Sequence, residues 1–137
     1  MVRVLGLDVG SKSIGIAVTD ELGFCAHAVT TLERKGTARD VVRVLQYCKQ
    51  YATTKVVIGM PYEMDGALGK RAVRVQVFAD AMAAAGAEVE LCDERYSTVE
   101  AEAVLLEADL SRKKRRQVID QLAAQVILER WLIGQRE

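Results

Sequence analysis

The chain has one histidine and one proline in 137 residues, three cysteines without a CxxC pair, and no net charge. Each scarcity removes a class of chemistry. A lone histidine, His27, cannot make a paired-histidine metal motif, and with no serine or cysteine nucleophile motif nearby it argues against acyl transfer. Cys25, Cys48 and Cys92 are odd in number and far apart, which argues against a disulfide framework and a zinc site and fits a reducing cytosol. Nineteen basic and nineteen acidic side chains cancel, so any attraction to nucleic acid must be local. No stretch approaches the roughly 18 apolar residues of a membrane helix. The opening apolar run is too short for a signal peptide and is broken by Asp8. A cytoplasmic protein is expected.

Half the residues are apolar and 28% are charged, a globular balance far from that of a disordered chain. The length suits one domain over residues 1–137, able to bury roughly two thirds of the surface its unfolded form exposes. Residues 2–9 form a mostly apolar run closed by Gly10 and Ser11, and residues 14–19 form another. The link between them is short, so the two read as an antiparallel hairpin. Asp20-Glu21-Leu22-Gly23 is a second turn, after which Phe24 to Leu32 offers a third strand.

The period then changes. Val41, Val44, Leu45 and Cys48 recur at helical spacing, with Thr37 and Asp40 as a capping-box-like start. The run Lys55 to Gly59 has the β-branched character of a buried strand, stopped by Pro61. From Lys70 a second helix places Val75, Phe78, Ala79 and Met82 on one face, with Gly86 as its stop. Val89 and Leu91 lead a strand into Asp93-Glu94, and Ser97 with Glu100 opens a third helix. After a break near Asp109 and Ser111 a last helix runs to about Leu132, with Val118, Leu122, Val126 and Glu129 along one side and Ile119, Ala123 and Ile127 beside them. The order β-β-β-α-β-α-β-α-α predicts a five-stranded mixed α/β sheet: three antiparallel strands, then two parallel to the first, flanked by helices.

In such sheets ligands collect beyond the carboxyl ends of the parallel strands, where strand order reverses. Asp8 and Glu94 end two strands that would lie there. Asp120 is on the last helix, with Ala123 and Ala124 at i+3 and i+4, small enough to let that helix approach the sheet. Three acids can converge, and carboxylates held together at neutral pH call for a hard cation such as Mg²⁺ or Mn²⁺. That is the chemistry of phosphodiester hydrolysis. Just ahead of Asp120 runs Arg112-Lys113-Lys114-Arg115-Arg116, a local phosphate-attracting cluster that Arg71 and Arg74 extend.

Each feature also has an ordinary explanation. An aspartate ending a strand is commonly a turn residue, an acid in a helix is commonly solvated, and a basic run is commonly an exposed face. Trp131, His27 and the cysteines read as structural. Neighbours on a strand point to opposite faces, so only one of Asp93 and Glu94 can join Asp8, and periodicity leaves the choice open.

Four segments together resemble the YqgF/RuvX family: residues 6–17 around Asp8-Val9-Gly10-Ser11-Lys12, Gly59-Met60-Pro61 through Asp65-Gly66, Asp93-Glu94-Arg95-Tyr96-Ser97-Thr98, and residues 120–128. The resemblance spans essentially the whole chain. Met60 and Tyr96 stand where leucine is common in the family. The resemblance implies an RNase H-like fold, with Asp8, Glu94 and Asp120 as catalytic, metal-binding acids, Glu94 rather than Asp93 being the second. It implies that Arg95 contacts substrate phosphate. Lys12 and the Arg112–Arg116 run are the other expected nucleic-acid contacts.

The expected activity is metal-dependent cleavage of structured nucleic acid, foremost 5′-end processing of precursor 16S ribosomal RNA. The alternatives are a dimeric Holliday junction resolvase acting on DNA, or a binding module without catalysis. An actin-like ATPase, which shares the Asp-x-Gly opening, needs two such domains and is excluded by length.

Overall fold

A computed structural model of the chain describes residues 3–94 and 112–136. Five strands form one sheet: β1 (Leu5–Val9), β2 (Ser13–Thr19), β3 (Ala26–Glu33), β4 (Lys55–Met60) and β5 (Glu88–Asp93), in the order β3-β2-β1-β4-β5. The first three pair antiparallel, and β4 and β5 continue parallel to β1. This is the mixed sheet the sequence predicts. The helices are α1 (Thr37–Gln50), α2 (Lys70–Ala84) and α3 (Arg112–Arg136). The helix expected from Ser97 lies outside the described residues.

The sheet has two unlike faces because large and small residues alternate along the strands. On one side Leu5, Leu7, Val9, Ile14, Ile16, Ile58 and Met60 pack against Val41 and Val44 of α1 and Val75, Phe78 and Met82 of α2. The opposite face carries Gly6, Gly15, Ala17, Val57 and Gly59, and α3 lies on it through Ala124, Ile127, Leu128 and Leu132. The buried side of α3 therefore centres on Ala123, Ala124, Ile127 and Leu128. The expected Val118–Leu122–Val126–Glu129 line is only partly buried and ends on exposed Glu129. Close approach selects the small pair Ala123 and Ala124 for contact.

The helix ends are set by turn chemistry and by one arginine. Gly86 stops α2 with φ +101°, and Gly86 and Ala87 donate to the Ala83 and Met82 carbonyls, a Schellman closure that needs a left-handed residue. At the start of α1 the expected capping box is replaced. Gly36 is the N-cap, and Asp40 reaches past it to the Lys35 amide at 3.0 Å. Thr37 instead accepts from Arg34 at 3.4 Å. A buried guanidinium within reach outcompetes the local cap.

Candidate active site

Asp8 is the fourth residue of β1 and lies opposite Gly15 of β2, so both face α3. Gly15 has no side chain, and the backbone of α3 takes the space. A Cβ there would stand 1.9 Å from the Asp120 carbonyl oxygen. Asp120 is thus set down beside Asp8, with its carboxylate receiving a hydrogen bond from the Ser13 hydroxyl at the start of β2.

Glu94 comes from the other side. On β5, Asp93 pairs with Met60, whose side chain belongs to the opposite core. Glu94 follows, buried, on the α3 side, and its amide donates to the Met60 carbonyl at 3.3 Å. Its carboxylate lies over Gly59 of β4, where a Cβ would come within 2.9 Å of both Cδ and Oε2. Asp93 is exposed. Two glycines therefore flank Asp8, and Asp120 and Glu94 occupy the room they leave. Asp8 and Asp120 interact electrostatically, whereas Glu94 leaves β5, two strands from β1, with its carboxylate over β4. Among the described residues, no three acidic, cysteine or histidine side chains are gathered closely enough to enclose a metal ion as they stand.

The electrostatics follow from this placement. Burial, and then the Asp120 charge, push the Asp8 carboxyl up from 3.8 to about 7, while Arg71 in the first turn of α2 pulls it down. Burial also raises Asp120, opposed by the bond from Ser13. Of the expected nucleic-acid contacts, Lys12 is exposed in the β1–β2 turn. Arg112 to Arg116 form the helical start of α3, with side chains outside the described residues, and Arg95 also lies outside them.

Ser13, Gly15 and Gly59 shape this site beside the predicted acids. A signal was present, because glycine inside an apolar strand marks a close approach by another backbone. What approaches is a helix more than a hundred residues away from Gly15, which strand periodicity cannot reveal.

Trp131 packs on the α3-side core, donates to Glu90 and lies 5.1 Å from the Lys55 ammonium, so it is engaged within the fold. Cys25, Cys48 and Cys92 are free thiols. Among the described residues no helix is long and apolar enough to cross a membrane.

Comparison with known proteins places this arrangement. The chain is 48% identical over 135 residues to a protein of Myxococcus xanthus, covering 98% of this chain and 89% of the relative. It is 47% identical over 131 residues to one of Moorella thermoacetica, covering 95% and 94%. Both carry the provisional name of pre-16S rRNA nuclease. Among solved structures it is similar to Thermus thermophilus RuvC in complex with Holliday junction substrate, with TM-score 0.60, 17% identity, and coverage of 99% of this chain and 96% of that one. The fowlpox virus resolvase with Holliday junction DNA matches with TM-score 0.59 and 9% identity, covering 99% and 100%. At those identities the likeness is one of fold, and the fold is RNase H-like. The family model described as RuvX, Holliday junction resolvase, matches residues 2–134, and the chain belongs to the RuvX family.

Proposed function

We propose that this protein is a metal-dependent nuclease of structured RNA, one RNase H-like domain over residues 1–137 that trims the 5′ end of precursor 16S ribosomal RNA in the cytoplasm, with Asp8, Glu94 and Asp120 as its active-site acids. The observation that carries the reading is the pair Asp8 and Asp120. Two carboxylates brought together on a largely buried sheet face raise each other's cost of ionisation, and a divalent cation removes that cost. The donors are all oxygen, which suits Mg²⁺ or Mn²⁺ better than softer metals. The Asp120 backbone lies over Gly15 and the Glu94 carboxylate over Gly59, on the strands either side of Asp8, which supports counting Glu94 with the pair.

Asp8 and Asp120 would hold the cation, with Glu94 supplying a further carboxylate. Bound there, it supplies an activated water and neutralises charge building on the phosphate. The Ser13 hydroxyl fixes which way the Asp120 carboxylate faces. Lys12, exposed in the turn beyond Asp8, offers a cation to the nucleic-acid backbone, and Arg71 adds positive charge from α2. No general-base histidine is required.

The relatives' names favour precursor ribosomal RNA as substrate. The family description favours a second reading, a four-way DNA junction cut by a homodimer whose two-fold symmetry would match the two incisions. Cleavage of both substrates, side by side, with Mg²⁺ and with Mn²⁺, by the parent and by Asp8→Asn, tests both. The expected result is metal-dependent cleavage of the RNA that Asp8→Asn abolishes. Undiminished cleavage by Asp8→Asn would overturn the site, and cleavage of the junction alone by a dimer would replace the substrate.

A further inference from the structure

The turn that follows Asp8 is held by a residue from outside the acid cluster. Gly10 to Ser13 closes with a Gly10 amide to Ser13 carbonyl bond of 2.8 Å, and the Gly10 and Lys12 carbonyls both face Arg34. The Arg34 amide donates to the Lys12 carbonyl at 2.8 Å, and its Nη1 donates to the Gly10 carbonyl at 2.9 Å. The same guanidinium donates from Nε to Asp40 Oδ2 at 2.7 Å and from Nη2 to the Thr37 hydroxyl, and it lies 5.4 Å from the centre of the Phe78 ring. Its side chain is 14% exposed, and that of Asp40 is fully buried.

Burying this pair carries a desolvation cost, and its geometry shows what is gained. Asp40 also accepts from the Lys35 amide and from Arg43 at 3.3 Å, and Arg43 in turn donates to the Glu33 carbonyl at 2.8 Å. Burial pushes the Asp40 carboxyl up, but the Arg34 bond, the Lys35 amide and the two guanidinium charges outweigh it and hold it below the ordinary range. Asp40 is therefore a fixed anion that aims Arg34. The fork then spans from α1 to the turn, with Phe78 of α2 against its face. Only a planar group with several donors at set angles can serve these partners at once.

We infer that Arg34 is a positioning residue of the active site: it touches neither substrate nor metal, but pins the turn that ends the Asp8 strand, presents Lys12 and delivers the Ser13 hydroxyl to Asp120. The inference rests on the reading of Asp8 and Asp120 as metal-holding acids. Loosening the turn frees Ser13, and with it the orientation of Asp120. Partners of this kind around metal-holding residues typically change metal affinity or activity by about 10–100-fold.

The test uses the full chain and two readouts, calorimetric titration with Mn²⁺ alone and steady-state cleavage, for the parent, Arg34→Lys, Asp8→Asn and Val44→Ala. Arg34→Lys keeps the charge opposite Asp40 and loses the fork. It should weaken Mn²⁺ binding about tenfold or more and lower kcat by up to about a hundredfold, with a smaller rise in KM from the displaced Lys12. Val44→Ala opens a cavity in the core under α1 and removes none of the hydrogen bonds that Arg34 makes. It should lower the urea midpoint yet leave Mn²⁺ binding at the parent value, which separates positioning from mere stability.

If Asp8→Asn loses Mn²⁺ binding while Arg34→Lys matches the parent, the role of Arg34 is overturned and the site stands. If Asp8→Asn binds Mn²⁺ like the parent, the site reading itself fails. Should Arg34→Lys not fold, Arg34→Gln, which keeps two amide donors, is read the same way: weakened Mn²⁺ binding supports the role of Arg34, and parental binding overturns it.

Discussion

Asp8 gives the metal-free protein a pH response opposite to that of a salt-bridged carboxylate. Its folded pKa stands near 7 against an ordinary 3.8, so between those values the folded chain holds a proton that the unfolded chain has released. Stability falls with rising pH wherever the folded state binds more protons. The Asp8 contribution is thus fully present below about 4, is lost up to about 7, and is constant above that. Asp120, also raised, acts in the same sense. Asp40 is depressed and acts oppositely, its contribution disappearing as pH drops below the ordinary carboxylate range. Urea midpoints of chelator-treated protein across this range should therefore decline from mildly acidic to neutral pH. Asp8→Asn should flatten the decline, as should saturating Mn²⁺. A parent profile already flat from pH 4 to 7 would show that Asp8 ionises freely in the fold.

At the scale of elements, the seating of α3 on β2 decides whether the acids meet. Adding one methyl at Gly15 drives a Cβ into the Asp120 carbonyl, a helix backbone that cannot swing aside as a side-chain tip would. Gly15→Ala should cost about 1–3 kcal/mol, the usual range for overpacking or somewhat above it. It should also displace Asp120, so activity should fall further than the loss of folded protein explains. Gly134→Ala is the contrast, with nothing within 4 Å of its Cβ. A glycine inside a helix costs about 0.5–1 kcal/mol relative to alanine, so this change should leave activity intact and raise the thermal midpoint slightly, less so if the end of α3 frays. Equal midpoints for Gly15→Ala and the parent would mean that α3 sits further from the sheet. The sequence carries Gly15 and Gly59 as interruptions in apolar runs, and it carries α1, α2 and the Gly86 stop in its period and turn chemistry. It could not announce that Thr37 and Asp40 serve Arg34 rather than their own helix. Capping rules are local, and Arg34 is recruited by Gly10 across the sheet edge.

For the whole molecule, topology was the most legible property, because a hairpin forces β1 and β2 antiparallel and helical crossovers force β4 and β5 parallel to β1. Which of Asp93 and Glu94 faces α3 was not legible from alternation alone. It depends on the strand phase, fixed here by Asp93 pairing with Met60. Zero net charge leaves a further question that only the intact molecule can answer: which cations hold nucleic acid. Counterion release gives it a measurable form. Each phosphate contact adds about 0.7–0.9 to the slope of log affinity against log salt. If the start of α3 is the phosphate-holding surface, replacing Lys113 and Lys114 together by glutamine should weaken binding of precursor RNA and four-way junctions alike and reduce that slope by about 1.4–1.8. Asp8→Asn, which removes a negative charge, should bind at least as tightly as the parent with an unchanged slope, so binding and cleavage separate in one experiment. An unchanged slope in the double glutamine variant would make the run an ordinary solvated helix face and leave Lys12, Arg71 and Arg74 as the cations to test next.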